Sequence, residues 1–176
     1  SDLYGNAGIA LTRRGIGVAV VGYRLVPEVT FEGQLGDVLA AIRWTQQHIA
    51  ERGGDPRRIV VAGHSAGGHL AALAAFDSGR LARAGIDPTG IRGYAPLSPI
   101  FDLVDMAANP PEADFNARVT APVFGDRLAY FSPRTYFRAT VAPMFVALGE
   151  LDEPFLLRQV PRAVDELRAL GAPVTL

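Results

Sequence analysis

The 176 residues carry 17 basic and 18 acidic side chains, for a formal net charge of −1, and 49% of them are hydrophobic. That length and apolar content suffice for the core of one domain, and so balanced a charge leaves no basic excess for gripping a nucleic acid or an anionic membrane. The chain also has no cysteine and no lysine, every basic residue being arginine, which removes thiol nucleophiles, disulfides, thiolate-bound metals, Schiff-base lysines and the lysine-bearing phosphate loop.

Ser1 and Asp2 have the form of a helix N-cap, and Leu3, Ala7, Ala10 and Leu11 follow at helical spacing, so the chain is expected to open on a helix whose preceding strand and loop are absent. Val18 to Tyr23 is a short, continuous apolar run of the kind that forms a strand covered on both faces. Leu35, Val38, Leu39, Ile42 and Ile49 then give one apolar stripe of a helix that stops at Gly53-Gly54-Asp55-Pro56. Ile59 to Ala62 is a second buried-strand run.

From Pro99 to Val141 the rhythm breaks, with Asn109-Pro110-Pro111, Pro122 and Ser132-Pro133 in place of a period. This region, about 99–141, is expected to be an irregular insertion and not a second domain. Met144 to Leu148 is a third strand run. Leu156, Val160, Ala163, Val164, Leu167 and Leu170 form another helical stripe, which ends at Gly171-Ala172-Pro173, and Val174-Thr175-Leu176 looks like a strand just beginning. Alternating strands and helices predict an α/β fold: a mostly parallel sheet with helices on both faces, in a single domain over 1–176 that is incomplete at both termini. An incomplete sheet exposes edges that association would cover, so a homo-oligomer is expected. Apolar runs fall well short of the ~20 residues that span a bilayer, and no secretion signal is visible; the expected compartment is the cytoplasm.

The segment with chemical content is Ile59-Val60-Val61-Ala62-Gly63-His64-Ser65-Ala66-Gly67-Gly68-His69-Leu70. A Gly-x-Ser-x-Gly between a strand and an Ala-rich helical run is the context of a nucleophile elbow, in which a sharp turn strains the serine and exposes its hydroxyl. Ser65 is then the nucleophile, and Gly63 and Gly67 flank it where the backbone is expected to pass too closely for a Cβ. The N–H of Ala66 points to where an oxyanion would form, with the helix dipole behind it. His64 is expected to point away from Ser65. Only three histidines occur, His48, His64 and His69, wrongly spaced for a zinc site, and neither metal nor cofactor is expected.

This elbow, together with Tyr23-Arg24-Leu25-Val26-Pro27-Glu28, Asp37, Trp44, Asp55-Pro56, Phe101-Asp102-Leu103, Ser132-Pro133 and Leu148-Gly149-Glu150-Leu151-Asp152-Glu153-Pro154-Phe155, resembles the hormone-sensitive-lipase-like carboxylesterase branch of the α/β-hydrolase superfamily. The resemblance implies a serine hydrolase that cleaves small carboxylic esters through an acyl-enzyme. It matches Asp152, after the third strand run, to the triad acid, with Glu150 and Glu153 as competitors; Arg24 and Asp37 are expected to be structural, and Tyr23, Trp44 and Phe101 core or pocket wall.

Two parts of the pattern are not found. The resemblance implies a base histidine downstream of the acid and an upstream His-Gly-Gly-type oxyanion loop, yet no histidine follows His69. His69, one helical turn after Ser65, is a candidate base poorly placed to meet Asp152 as well, and packing is its expected role. The alternatives carried forward are an aryl formamidase or other amide hydrolase, and a catalytically inactive fragment or binding scaffold.

Overall fold

The structure, a computed structural model, describes residues 2–109, 114, 116–139 and 141–176, without the side chains of residues 2, 3, 116 and 119. Helix α1 spans Asp2–Thr12 and α2 Phe31–His48; the expected N-cap at Ser1 lies outside the described residues. Strand β1, Ile59–His64, runs into α3, Ala66–Phe76, followed by α4, Ser78–Arg83, and β2, Ile91–Leu97. Short helices α5 (Leu103–Ala108), α6 (Ala121–Phe124) and α7 (Leu128–Phe131), with a π-helical turn at Asn116–Thr120, occupy the region read as irregular. Strand β3 (Met144–Phe145), helix α8 (Pro154–Ala169) and strand β4 (Val174–Thr175) follow.

The sheet has the order β1-β2-β3-β4, and every pairing is parallel. Parallel neighbours need a crossover, and each is supplied by an intervening helical segment. The pairing of β1 with β2 is the longest, from Ile59↔Ile91 to His64↔Leu97, and a bridge Leu97↔Ala147 extends β2 onto the residues after β3.

Helix α3 is apolar on all faces and is buried from Gly68 to Phe76, as a helix covered by sheet on one side and by other helices on the rest must be. Helices α2 and α8 are amphipathic, and they bury the stripes read from their sequences: Leu35, Leu39 and Ile42 in one, Leu156, Val160, Ala163, Val164 and Leu167 in the other. Helix α8 stops where Gly171 takes φ 82°, a conformation that costs glycine little. Among the described residues no helix is long and apolar enough to cross a membrane.

Three expectations need correction. Strands β1 and β3 are not covered on both faces, since Val60 and Phe145 are 60% and 53% exposed. Val18 to Tyr23 is not a strand: it joins no sheet among the described residues, and Val18, Val20 and Val21 are 36%, 56% and 41% exposed, because no described neighbour offers it a ladder of hydrogen bonds. Trp44 is not core; it is exposed and lies on the outer side of α2 against His48 and Arg52. Phe101, by contrast, is fully buried as expected.

Candidate active site

Strand β1 delivers the chain to Ser65, whose φ of 54° and ψ of −116° lie outside the regions open to most L-residues. Its backbone N–H donates to the Leu97 carbonyl at 2.9 Å, and its carbonyl accepts from the His69 N–H at 2.9 Å. The strained residue is thereby tied to β2 on one side and to the first turn of α3 on the other. Although Ser65 sits at the N-cap of α3, its hydroxyl makes no capping bond. The residue is exposed, so the oxygen is left available to chemistry. Ala66 follows as the first residue of α3, where an N–H has no acceptor within the helix.

The glycines show what the sharp turn demands. A Cβ on Gly63 would lie 2.2 Å from the Gly67 carbonyl oxygen, and one on Gly68 would lie 2.7 Å from that of Leu97, whereas one on Gly67 would meet nothing within 4 Å. The crowded positions are therefore Gly63 and Gly68. Gly67, expected to be crowded, is not: its carbonyl makes the close approach to Gly63, and a Cβ on Gly67 would stand in open space.

Asp152 lies in the loop between β3 and α8 and is half-buried. Its Oδ2 accepts from the Ser98 hydroxyl at 2.6 Å and from the Gly149 N–H at 2.8 Å. These bonds hold its carboxyl below the usual range, the Ser98 hydroxyl contributing most, the Gly149 amide next, and the charge of nearby His64 in the same direction. Ser98 follows Leu97 directly, so the residue that holds Ser65 in the ladder and the residue that holds Asp152 are neighbours at the end of β2. Ser98 is not among the sequence candidates, since a serine after a strand carries no mark of a partner 54 residues away. Glu150 and Glu153 are exposed.

The histidines are placed differently from one another. His64 turns away from the core, with its Nδ1 3.2 Å from the Tyr4 hydroxyl of α1. His48 is on the surface near Glu51, 3.5 Å away. His69 is buried beside Phe31 and Phe124, with Nδ1 2.8 Å from the Ile100 carbonyl and Nε2 meeting no partner at hydrogen-bonding geometry. Burial drives its pKa down to about 4, leaving a neutral ring facing the core. The candidate role of His69 as base is not borne by this geometry, which gives it packing instead.

Arg24 and Asp37 pair with each other, as structural residues do. The Arg24 Nη2 donates to Oδ1 at 2.7 Å while its Nε and backbone N–H both donate to Oδ2 at 3.0 Å. The arrangement holds Asp37 down to about 2 and ties the segment after Val18–Tyr23 to α2. Among the described residues no cluster of three or more His, Cys, Asp or Glu side chains is arranged to hold a metal ion.

An exposed strained serine at the carboxyl end of a parallel strand, followed at once by a buried helix, defines an α/β hydrolase. The chain belongs to the alpha/beta hydrolase fold family, whose model matches residues 9–176. It is 32% identical over 160 residues to the probable carboxylic ester hydrolase LipM of Mycobacterium tuberculosis, a match covering 86% of this chain and 37% of that protein. It is 50% identical over 58 residues to carboxylesterase NlhH of the same species, across 33% of this chain and 18% of the relative. The butyrate-bound esterase of Thermogutta terrifontis superposes with a TM-score of 0.68 at 27% identity, over 88% of this chain and 58% of that structure. The chain thus spans little more than a third of the length of LipM. The fold class and the carboxylesterase branch expected from the elbow are borne out.

Proposed function

We propose that this chain carries the nucleophile and the acid of a serine hydrolase that cleaves small carboxylic esters. The observation that carries the reading is Ser65, held in a strained turn with its hydroxyl free of any capping bond, just past the end of the strand next to the one whose end grips Asp152. In this reading Ser65 Oγ attacks the acyl carbonyl as a base removes its proton, and the Ala66 N–H and the helix dipole stabilise the oxyanion. The alkoxide then leaves with a proton from the same base, and water repeats the sequence to release the acid.

The base is a histidine supplied from outside these residues, since His69 faces the core, His48 lies on the surface beside Glu51 and His64 pairs with Tyr4. Asp152 orients that histidine and stabilises its charged form. The names of LipM, NlhH and the Thermogutta enzyme support the ester class. Residues 1–176 are read as one partial domain acting in the cytoplasm. The edge of β1, which no described strand covers and where Val60 is exposed, supports its association as a homo-oligomer.

The test is hydrolysis of p-nitrophenyl butyrate by the chain and by Ser65→Ala, each over a range of added imidazole. Imidazole stands in for the base. A Ser65-dependent rate that saturates with imidazole is expected. Equal rates in the two proteins at every imidazole concentration would refute the reading and leave a binding scaffold, while faster turnover of an aryl formamide than of the ester would move the assignment to amide cleavage.

A further inference from the structure

Besides Ser65, one other non-glycine residue among those described has a positive φ. It is Ser98, at 47°, immediately after β2. Such a conformation is costly for any residue with a Cβ and is retained where something else holds it. Here the backbone N–H of Ser98 donates to the Ala147 carbonyl at 2.8 Å, which fixes the residue against the segment following β3. Its side chain is buried, and its Oγ donates to Asp152 Oδ2 at 2.6 Å, a length typical of a hydroxyl bound to a charged carboxylate.

The Gly149 N–H donates to the same oxygen. Both donors therefore converge on Oδ2, and among the described residues Oδ1 accepts no hydrogen bond. A carboxylate gripped through one oxygen cannot rotate freely, and its other oxygen is held in one direction. A turn that only needed to bend would be served better by glycine.

We infer that Ser98 is a positioning residue of the ester-cleaving site, clamping Oδ2 of Asp152 with the Gly149 amide so that Oδ1 is presented to the N–H of the base. This rests on the reading of Asp152 as the acid. The depressed carboxyl of Asp152, with the Ser98 bond as its first cause, agrees with the geometry. The clamp also links the two halves of the chemistry, because Leu97, next to Ser98, accepts the backbone N–H of Ser65.

The experiment compares Ser98→Gly and Ser98→Ala with the parent chain. Glycine relieves the positive φ, so that variant removes the hydroxyl without adding backbone strain, and alanine keeps the Cβ. Carbon-13 detection of the Asp152 carboxyl gives its titration midpoint, and the Gly149 amide proton reports the same event. The midpoint is expected to rise in both variants with the Gly149 response retained. Imidazole-supported ester turnover should fall about tenfold in kcat with KM for the ester unchanged. An unmoved midpoint in both Ser98 variants, with Asp152→Asn impaired, would overturn the clamp alone. Full turnover by Asp152→Asn would instead overturn the reading on which it rests.

Discussion

The runs Met144 to Leu148 and Val18 to Tyr23 are both short and apolar, yet they end in opposite surroundings. Met144 and Val146 are 3% and 0% exposed, whereas Val20 and Val21 stand at 56% and 41%. Met144 and Val146 point to the core side of β3, while Phe145 between them is 53% exposed on the other face. β3 lies between β2 and β4, and its backbone groups enter both ladders, while Val18 to Tyr23 enters none among the described residues. An apolar run becomes a strand by acquiring partners, and hydrophobicity alone does not supply them.

The largest effect that would sharpen this contrast is expected from Phe101→Ala, in the same core that buries Met144 and Val146. Phe101 is fully buried and meets Phe137 edge-on, ring centres 5.6 Å apart, so its truncation should cost about 3 to 5 kcal/mol in urea unfolding. A loss below ~1 kcal/mol, the mean of ordinary substitutions, would break the claim that this core is tightly packed.

The next effect is one of pH. Folded, His69 stays neutral until about pH 4, against an ordinary value of 6.5, so between those values the unfolded chain binds more protons. Stability is therefore fully present above pH 6.5, falls as pH drops through this window, and is lost by about 3 kcal/mol in all. Urea midpoints measured from about pH 7 down to the folded value should show the decline, and His69→Phe should flatten it. An equal slope in that variant would remove His69 as its source.

The smallest effect is expected in the open region. Val20→Ser should change stability by no more than about 0.5 kcal/mol. A loss as large as that of Phe101→Ala would mean that Val20 is covered in solution, and the contrast would fail.

Helices α2 and α8 are legible in the sequence because a stripe at helical spacing is a direct image of the buried face, and β1 because its run ends in the elbow. Strand β2 is hidden: Gly93 and Pro96 interrupt its apolar pattern, and its place in the sheet comes from neighbours that the local sequence does not announce. Ser65 and Asp152 stand out through their motifs. Ser98 does not, since a positive φ at a serine and a bond across 54 positions are products of the assembled sheet. The crowding at Gly68 is hidden for the same reason, as it depends on Leu97 of another strand.

The bonds from Ser65 to Leu97 and from Ser98 to Ala147 decide how such a chain tolerates insertions. Side chains alternate faces along a strand, so one residue added within Ile91–Leu97 would swing Ser98 to the opposite face and strip Asp152 of its donor. One residue added in the exposed turn Gly125-Asp126 would change no strand register. The sheet thus counts residues on behalf of the site, while an exposed turn outside it does not.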